Sequence, residues 1–152
     1  MRTVEREIAS ALIFSKDGKL LQVKNAEPVH GVYGECWVIP GGGLEEGETV
    51  EEAVVREVME EVGLDISSSP KELVWTGNGE STRILKDTGE EVLVKMRFNN
   101  FKVQLEENAE DIQLTFGDEH HVHIWTDVSE LKNMSLSRPS IECLTELGYL
   151  PS

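Results

Sequence analysis

The sequence predicts a mixed α+β fold, and three observations lead there. Short apolar-rich runs separated by turn signals occupy the first and middle thirds of the chain. One strongly patterned helical segment interrupts them early, and a second helical segment closes the chain. That order suits a sheet packed between helices. At 152 residues the chain fits one domain, taken as 1–152, long enough to bury roughly 70% of the surface its unfolded form exposes. No repeat, linker or low-complexity tract breaks it, and a hydrophobic content of 39% argues against global disorder.

Each element follows from local pattern. Glu7 to Phe14 reads as a strand carried by Ile8, Ala11, Leu12, Ile13 and Phe14. Asp17-Gly18 is a hairpin signal, and Lys19 to Val23 returns as a second strand. Glu27 to Glu35, with Pro28, Gly31 and Gly34, reads as a loop. Cys36 to Ile39 is a short strand stopped by Pro40 and the run Gly41-Gly42-Gly43. Thr49 to Val62 is the clearest helix: Thr49 with Glu52 has the capping-box spacing, and Gly63 is a natural stop. Leu73 to Thr76 and Glu91 to Leu105 read as strands, with Asn99-Asn100 marking a bend in the second and Gly77 to Glu90 forming a loop or hairpin tip between them. Glu106 to Asp111 is an acidic loop, His121 to Trp125 a last strand, and Arg138 to Leu147 a helix ended by Gly148.

Fourteen Lys and Arg against 29 Asp and Glu leave a net charge of −15. Such a surface repels polyanions at long range, so a nucleic-acid polymer is not the expected partner. Small phosphorylated substrates stay admissible, because a bound divalent cation reverses the field locally. The first residues lack an apolar core, and no run approaches the roughly 18 apolar residues that span a bilayer. Cys36 and Cys143 have no CxxC spacing, so the expected setting is a reducing cytoplasm with both as packing residues.

Gly42 to Leu64 reads GGLEEGETVEEAVVREVMEEVGL. On a helical wheel Val55, Val58, Met59 and Val62 form the side expected to pack on a sheet. Glu57, Glu60 and Glu61 form an arc roughly opposite, and spacings of three and four set these carboxylates side by side. Unpaired, they repel. A solvated acidic face explains them in an acidic chain; a site for a hard divalent cation also explains them. The preceding glycines favour the second account, because they allow a ligand or another backbone to approach closely.

Gly42, Glu48, Arg56-Glu57, Val58, Glu60-Glu61, Gly63 and Leu64 stand at spacings that resemble the signature of the Nudix hydrolase family without a mismatch. With residue frequencies of a few per cent, chance agreement is on the order of one in a billion per start position. The signature covers 23 of 152 residues. The preceding Trp37-Val38-Ile39-Pro40-Gly41 resembles the strand that leads into it in the family. Asp118-Glu119, Trp125 and Asp127 to Leu131 resemble the family's later acidic turn, strand and short helix.

The resemblance implies an α/β/α sandwich around a mixed sheet and hydrolysis of a nucleoside diphosphate linked to a group X. It implies Glu57, Glu60 and Glu61 as ligands of magnesium, with manganese as a substitute. Arg56 would pair with Glu48, and Gly42 would supply a backbone carbonyl or the turn that positions it. Glu119 is the first choice for general base and Glu61 the second. A nucleoside triphosphate pyrophosphohydrolase of the MutT-like kind is the leading reading, slightly favoured by the short chain. The alternatives are hydrolysis of ADP-ribose or another nucleoside diphosphate sugar, and a nucleotide-binding module without turnover. A homodimer is compatible with the resemblance.

Three features carry less. His121 and His123 would share one strand face and His120 the other, so they do not form a transition-metal site. Lys95 and Arg97 share one face of a strand, either solvated or in contact with substrate phosphate. Trp37, Trp75 and Trp125 are expected in the core rather than as base-stacking platforms.

Overall fold

A computed structural model describes residues 1–25, 36–116 and 121–151. The expected loop over 27–35 and the acidic turn at Asp118-Glu119 lie outside the described residues, as does His120. The chain forms β1 (Arg2–Phe14), β2 (Lys19–Asn25), β3 (Gly41–Gly43), α1 (Val50–Val62), β4 (Lys71–Ile84), β5 (Glu91–Gln104), β6 (His121–Asp127) and α2 (Arg138–Glu146). Short 3-10 turns occupy Ala109–Asp111 and Val128–Asn133. The six strands make one mixed sheet in the order β4-β5-β1-β2-β6, with β3 paired to β1. The β1–β5 pair is parallel, and the other pairs are antiparallel.

Side chains alternate across the sheet, and this alternation sorts two cores. Ala9, Ala11 and Ile13 of β1, with Phe101 and Val103 of β5, pack under Ala53, Val54, Val58 and Val62 of α1. Leu12 and Phe14 face the other way, with Trp75, Leu131, Leu136, Cys143 and Leu144 on the α2 side. The expected α/β/α sandwich is therefore the fold. A register shift between Leu73 and Trp75 places Trp75 in the second core: Leu73 pairs with Phe101 and Trp75 with Asn100, so the intervening Val74 is unmatched.

Four expectations need correction. The strand expected over Cys36 to Ile39 is reduced to bridges, Val23 to Val38 and Trp37 to Leu136, while the glycines expected to stop it form β3. A β-carbon at Gly41 would collide with the Ala9 carbonyl oxygen and come within 2.6 Å of Ser10 Cα, so only glycine lets this strand lie so close to β1. The region from Gly77 expected to be a loop continues β4 to Ile84, and only the following turn is irregular. Here Gly77 and Gly79 give their β-carbon space to the rings of Trp75 and Phe98, so aromatic cover replaces the missing side chains. Where a bend was expected at Asn99-Asn100, β5 runs on without a break in its pairing to β1, and the register shift lies across from it, in β4.

The fourth correction bears on the site. Thr49 caps α1 with a complete capping box to Glu52, and Gly63 ends it in the left-handed region (φ 72°). The buried side, however, is Ala53, Val54, Val58 and Val62, with Met59 45% exposed. The helix is rolled relative to the expected wheel, so Glu57 and Glu61 sit at the margin of its buried face instead of opposite it. They meet the glycine loop rather than bulk water.

Candidate active site

The site is built where β3 passes under α1. Gly42 pairs with Ala9 and therefore faces α1. A β-carbon there would fall 2.5–2.7 Å from the Glu57 carboxyl atoms, so the glycine is the floor on which that carboxylate rests. One step earlier, the Gly41 N–H donates to Glu61 Oε2 (2.9 Å). Two glutamates one helical turn apart thus engage two consecutive glycines.

Arg56 ties the loop to the helix. Its Nε and Nη2 donate to Glu48 Oε2 and Oε1 at 2.7 and 2.9 Å, a two-pronged charged pair. Nη2 also donates to the Gly43 carbonyl (3.0 Å). Nη1 donates to Glu57 Oε1 (2.9 Å) and Glu60 Oε2 (3.2 Å), and Glu45 lies 3.7 Å away. The hydrogen bond from Arg56, helped by the Glu45 N–H, holds the Glu48 carboxyl down at about 2. The same bond pushes the Arg56 guanidinium above its already high range. Glu48 and Glu57 are largely covered, whereas Glu60 is exposed.

Six of the residues expected from sequence are therefore together: Gly42, Glu48, Arg56, Glu57, Glu60 and Glu61. Among the described residues no three carboxylate, imidazole or thiol groups form a ready-made metal cage. Glu57 and Glu60 converge on one guanidinium nitrogen instead. Glu119 lies outside the described residues.

Lys95 and Arg97 lie beside this cluster, on the same face of the sheet. They line a cavity of about 520 Å³ with Glu5 and Glu7 of β1 and Asn78 and Glu80 of β4. Sequence reasoning missed those four. The period-two spacing of Glu5 and Glu7 was the available signal, and Asn78 and Glu80 became visible once β4 extended past Gly77. His123 stacks on Phe116 with ring centroids 5.2 Å apart. Trp75 is buried and donates to Glu146 (2.6 Å), Trp125 packs on the first core, and half-buried Trp37 carries Lys24 over its ring at 4.6 Å. Cys36 and Cys143 are both free thiols. No helix among the described residues is long and apolar enough to cross a membrane.

Residues 4–146 match the family described as NUDIX domain. An ADP-ribose pyrophosphatase of Methanocaldococcus jannaschii is 53% identical over 53 residues, covering 34% of this chain and 29% of that protein. An RNA pyrophosphohydrolase of Shewanella sediminis is 32% identical over 106 residues (62% and 60%). A nucleoside triphosphatase, NudI, of Escherichia coli is 46% identical over 59 residues (39% and 40%). The chain thus spans less than two thirds of the length of each. The fold matches the E. coli dihydroneopterin triphosphate pyrophosphohydrolase with a TM-score of 0.70 at 20% identity, covering 92% of both chains. It also matches the NUDIX domain of Shewanella oneidensis NrtR, complexed with ADP ribose, at 0.66 and 18% identity, covering 95% and 88%.

Proposed function

Because the chain belongs to the Nudix family, we propose that it is a magnesium-dependent hydrolase that cleaves the phosphoanhydride of a nucleoside diphosphate linked to a group X, with manganese as a substitute ion. The observation that carries this reading is the Arg56 Nη1 cation seated between Glu57 and Glu60. The pocket already selects positive charge, its donors are hard carboxylate oxygens, and Gly42 leaves no β-carbon in the way. Bound magnesium would screen phosphate charge and lower the pKa of water.

The chain's own residues then have distinct work. Glu57, Glu60 and Glu61 hold the ion, and the Gly42 backbone completes or positions that set. Arg56 and Glu48 lock the loop to the helix so that the carboxylates keep their relative places. Glu119 is our first candidate for the group that takes the proton from attacking water, and Glu61 the second. Lys95 and Arg97 contact the substrate from the sheet. The relatives named for nucleoside triphosphates and for ADP-ribose support two identities for X, a phosphate or a sugar. The net charge of −15 favours small substrates over a nucleic-acid polymer. A cytoplasmic setting completes the proposal, and a homodimer is compatible with it.

The test is a screen of nucleoside triphosphates and nucleoside diphosphate sugars with and without magnesium, with products identified. Turnover that requires the ion and falls at least ~100-fold in Glu60→Gln is expected. Tight nucleotide binding with no product under any metal would replace the hydrolase with a non-catalytic binding module.

A further inference from the structure

The cavity beside the carboxylates has a composition that bears on X. Its lining side chains come in two rows across three strands. In the row nearer Gly42, Arg97 lies between Glu7 of β1 and Asn78 of β4; in the row beyond, Lys95 lies between Glu5 and Glu80. Arg6, Gly79 and Met96, the remaining lining residues, alternate to the opposite face, where Met96 joins an apolar cluster. No aromatic side chain lines the cavity among the described residues.

We infer that this cavity receives a polyhydroxylated, uncharged group, so that X in the proposed reaction is a sugar rather than the terminal phosphate of a triphosphate. This rests on the reading of the substrate as a nucleoside diphosphate linked to X.

Three physical points support it. Carboxylates accept hydrogen bonds and never donate when ionised, so Glu5, Glu7 and Glu80 suit a ligand rich in hydroxyl donors. In the far row two carboxylates, Glu5 and Glu80, flank the single ammonium of Lys95, so that row repels a trailing phosphate instead of attracting it. A nucleobase would be expected to find an aromatic wall to stack on, and no aromatic side chain lines the cavity among the described residues. Arg97 sits in the row nearer the glutamates and serves the diphosphate, while Lys95, flanked by acids on both sides, donates to sugar oxygens. Asn78 adds both donor and acceptor capacity.

Binding and turnover separate this inference from the reaction on which it rests. Affinities are measured by calorimetry with magnesium, using non-cleavable methylene-bridged analogues of a nucleoside diphosphate sugar and of the matching nucleoside triphosphate. The sugar analogue is expected to bind about tenfold tighter. Glu80→Ala and, separately, Glu5→Ala should weaken the sugar analogue about fivefold, as loss of a charged hydrogen bond predicts, while strengthening or sparing the triphosphate. Glu80→Gln should recover part of the sugar affinity, because the amide oxygen still accepts. Tighter binding of the triphosphate, or equal loss for both analogues in the alanine variants, would overturn the inference. Absence of turnover on the cleavable sugar nucleotide despite that binding preference would instead overturn the hydrolase reading.

Discussion

Two adjacent glycines of β3 are required for different reasons, and alanine at each should separate them. At Gly41 the added methyl would meet backbone: the Ala9 carbonyl oxygen and, at 2.6 Å, Ser10 Cα. Neither can retreat without opening the β1–β3 pairing. Overpacking of this kind costs about 1–3 kcal/mol, which for a chain of this size lowers the thermal midpoint by roughly 2–10 °C. At Gly42 the methyl would instead meet the far end of a flexible side chain, the Glu57 carboxyl atoms at 2.5–2.7 Å. Ordinary contact needs a separation larger by about 1 Å. Glu57 can swing away, so Gly42→Ala should leave the midpoint within ~2 °C of the parent. Its displacement falls on the proposed ion-binding carboxylate, where an error of about 1 Å can cost on the order of 100-fold in rate. Calorimetric magnesium titration, thermal melts and kcat/KM on both variants make the comparison. A Gly42→Ala protein with parental magnesium affinity and rate would refute the reasoning, as would a Gly41→Ala protein as stable as the parent.

Arg56→Lys keeps the charge but loses the planar fork, so a single ammonium cannot serve Glu48, Gly43, Glu57 and Glu60 together; the midpoint and magnesium affinity should both fall, and parental values for both would show that charge alone suffices. Glu48 contributes a specific acid sensitivity. Its folded value of about 2 lies below the ordinary 4.5, so the stabilisation is complete above about pH 5 and is lost as pH falls toward 2. In Glu48→Gln that segment of the midpoint-against-pH curve should flatten, and an unchanged curve would count against the pairing. Burial pushes the Cys143 thiol up to about 11, so an alkylating reagent at pH 8 should label half-buried Cys36 in the native protein and both cysteines after denaturation; labelling of native Cys143 would contradict its packing.

Much of the fold was legible because its signals are local. Thr49, Glu52 and Gly63 announce both ends of α1 within a few residues of their effect, and the structure realises every contact. The pair of Glu48 and Arg56 that the resemblance implied also forms. What escaped depends on distant partners. Nothing near Gly41-Gly42-Gly43 says that β1 will lie against it, so a run that reads as a strand breaker becomes a strand. Gly77 and Gly79 read as turn residues until rings from Trp75 and Phe98 are seen to cover them. The roll of α1 is similar: apolar periodicity finds a helix, but whether Val54 or Met59 faces the sheet is decided by small residues such as Ala9 and Ala11 on the strand below. That roll brings Glu57 and Glu61 off the surface stripe and against the glycines of β3.

The charge count inside the site leads to a final expectation. One guanidinium, that of Arg56, lies within ion-pair distance of Glu45, Glu48, Glu57 and Glu60. Glu48 takes its strongest contacts, which leaves Glu57 and Glu60 sharing one nitrogen, with Glu61 one turn from Glu57 on the same side of the helix. Carboxylates at this spacing repel, so the helix bears a cost that a divalent cation would relieve. An ion that binds the folded chain alone stabilises it by about 2.7 kcal/mol at one hundred times its dissociation constant, equivalent to roughly 5–10 °C in midpoint. Thermal melts across a magnesium series, at ionic strength held constant with sodium chloride, should show that rise. In the double variant Glu57→Gln, Glu60→Gln the metal-free protein should melt no lower than the parent, because the repulsion has gone, and magnesium should no longer raise its midpoint. A parental rise in the double variant would place the ion elsewhere on the acidic surface and remove the electrostatic reason for the cluster.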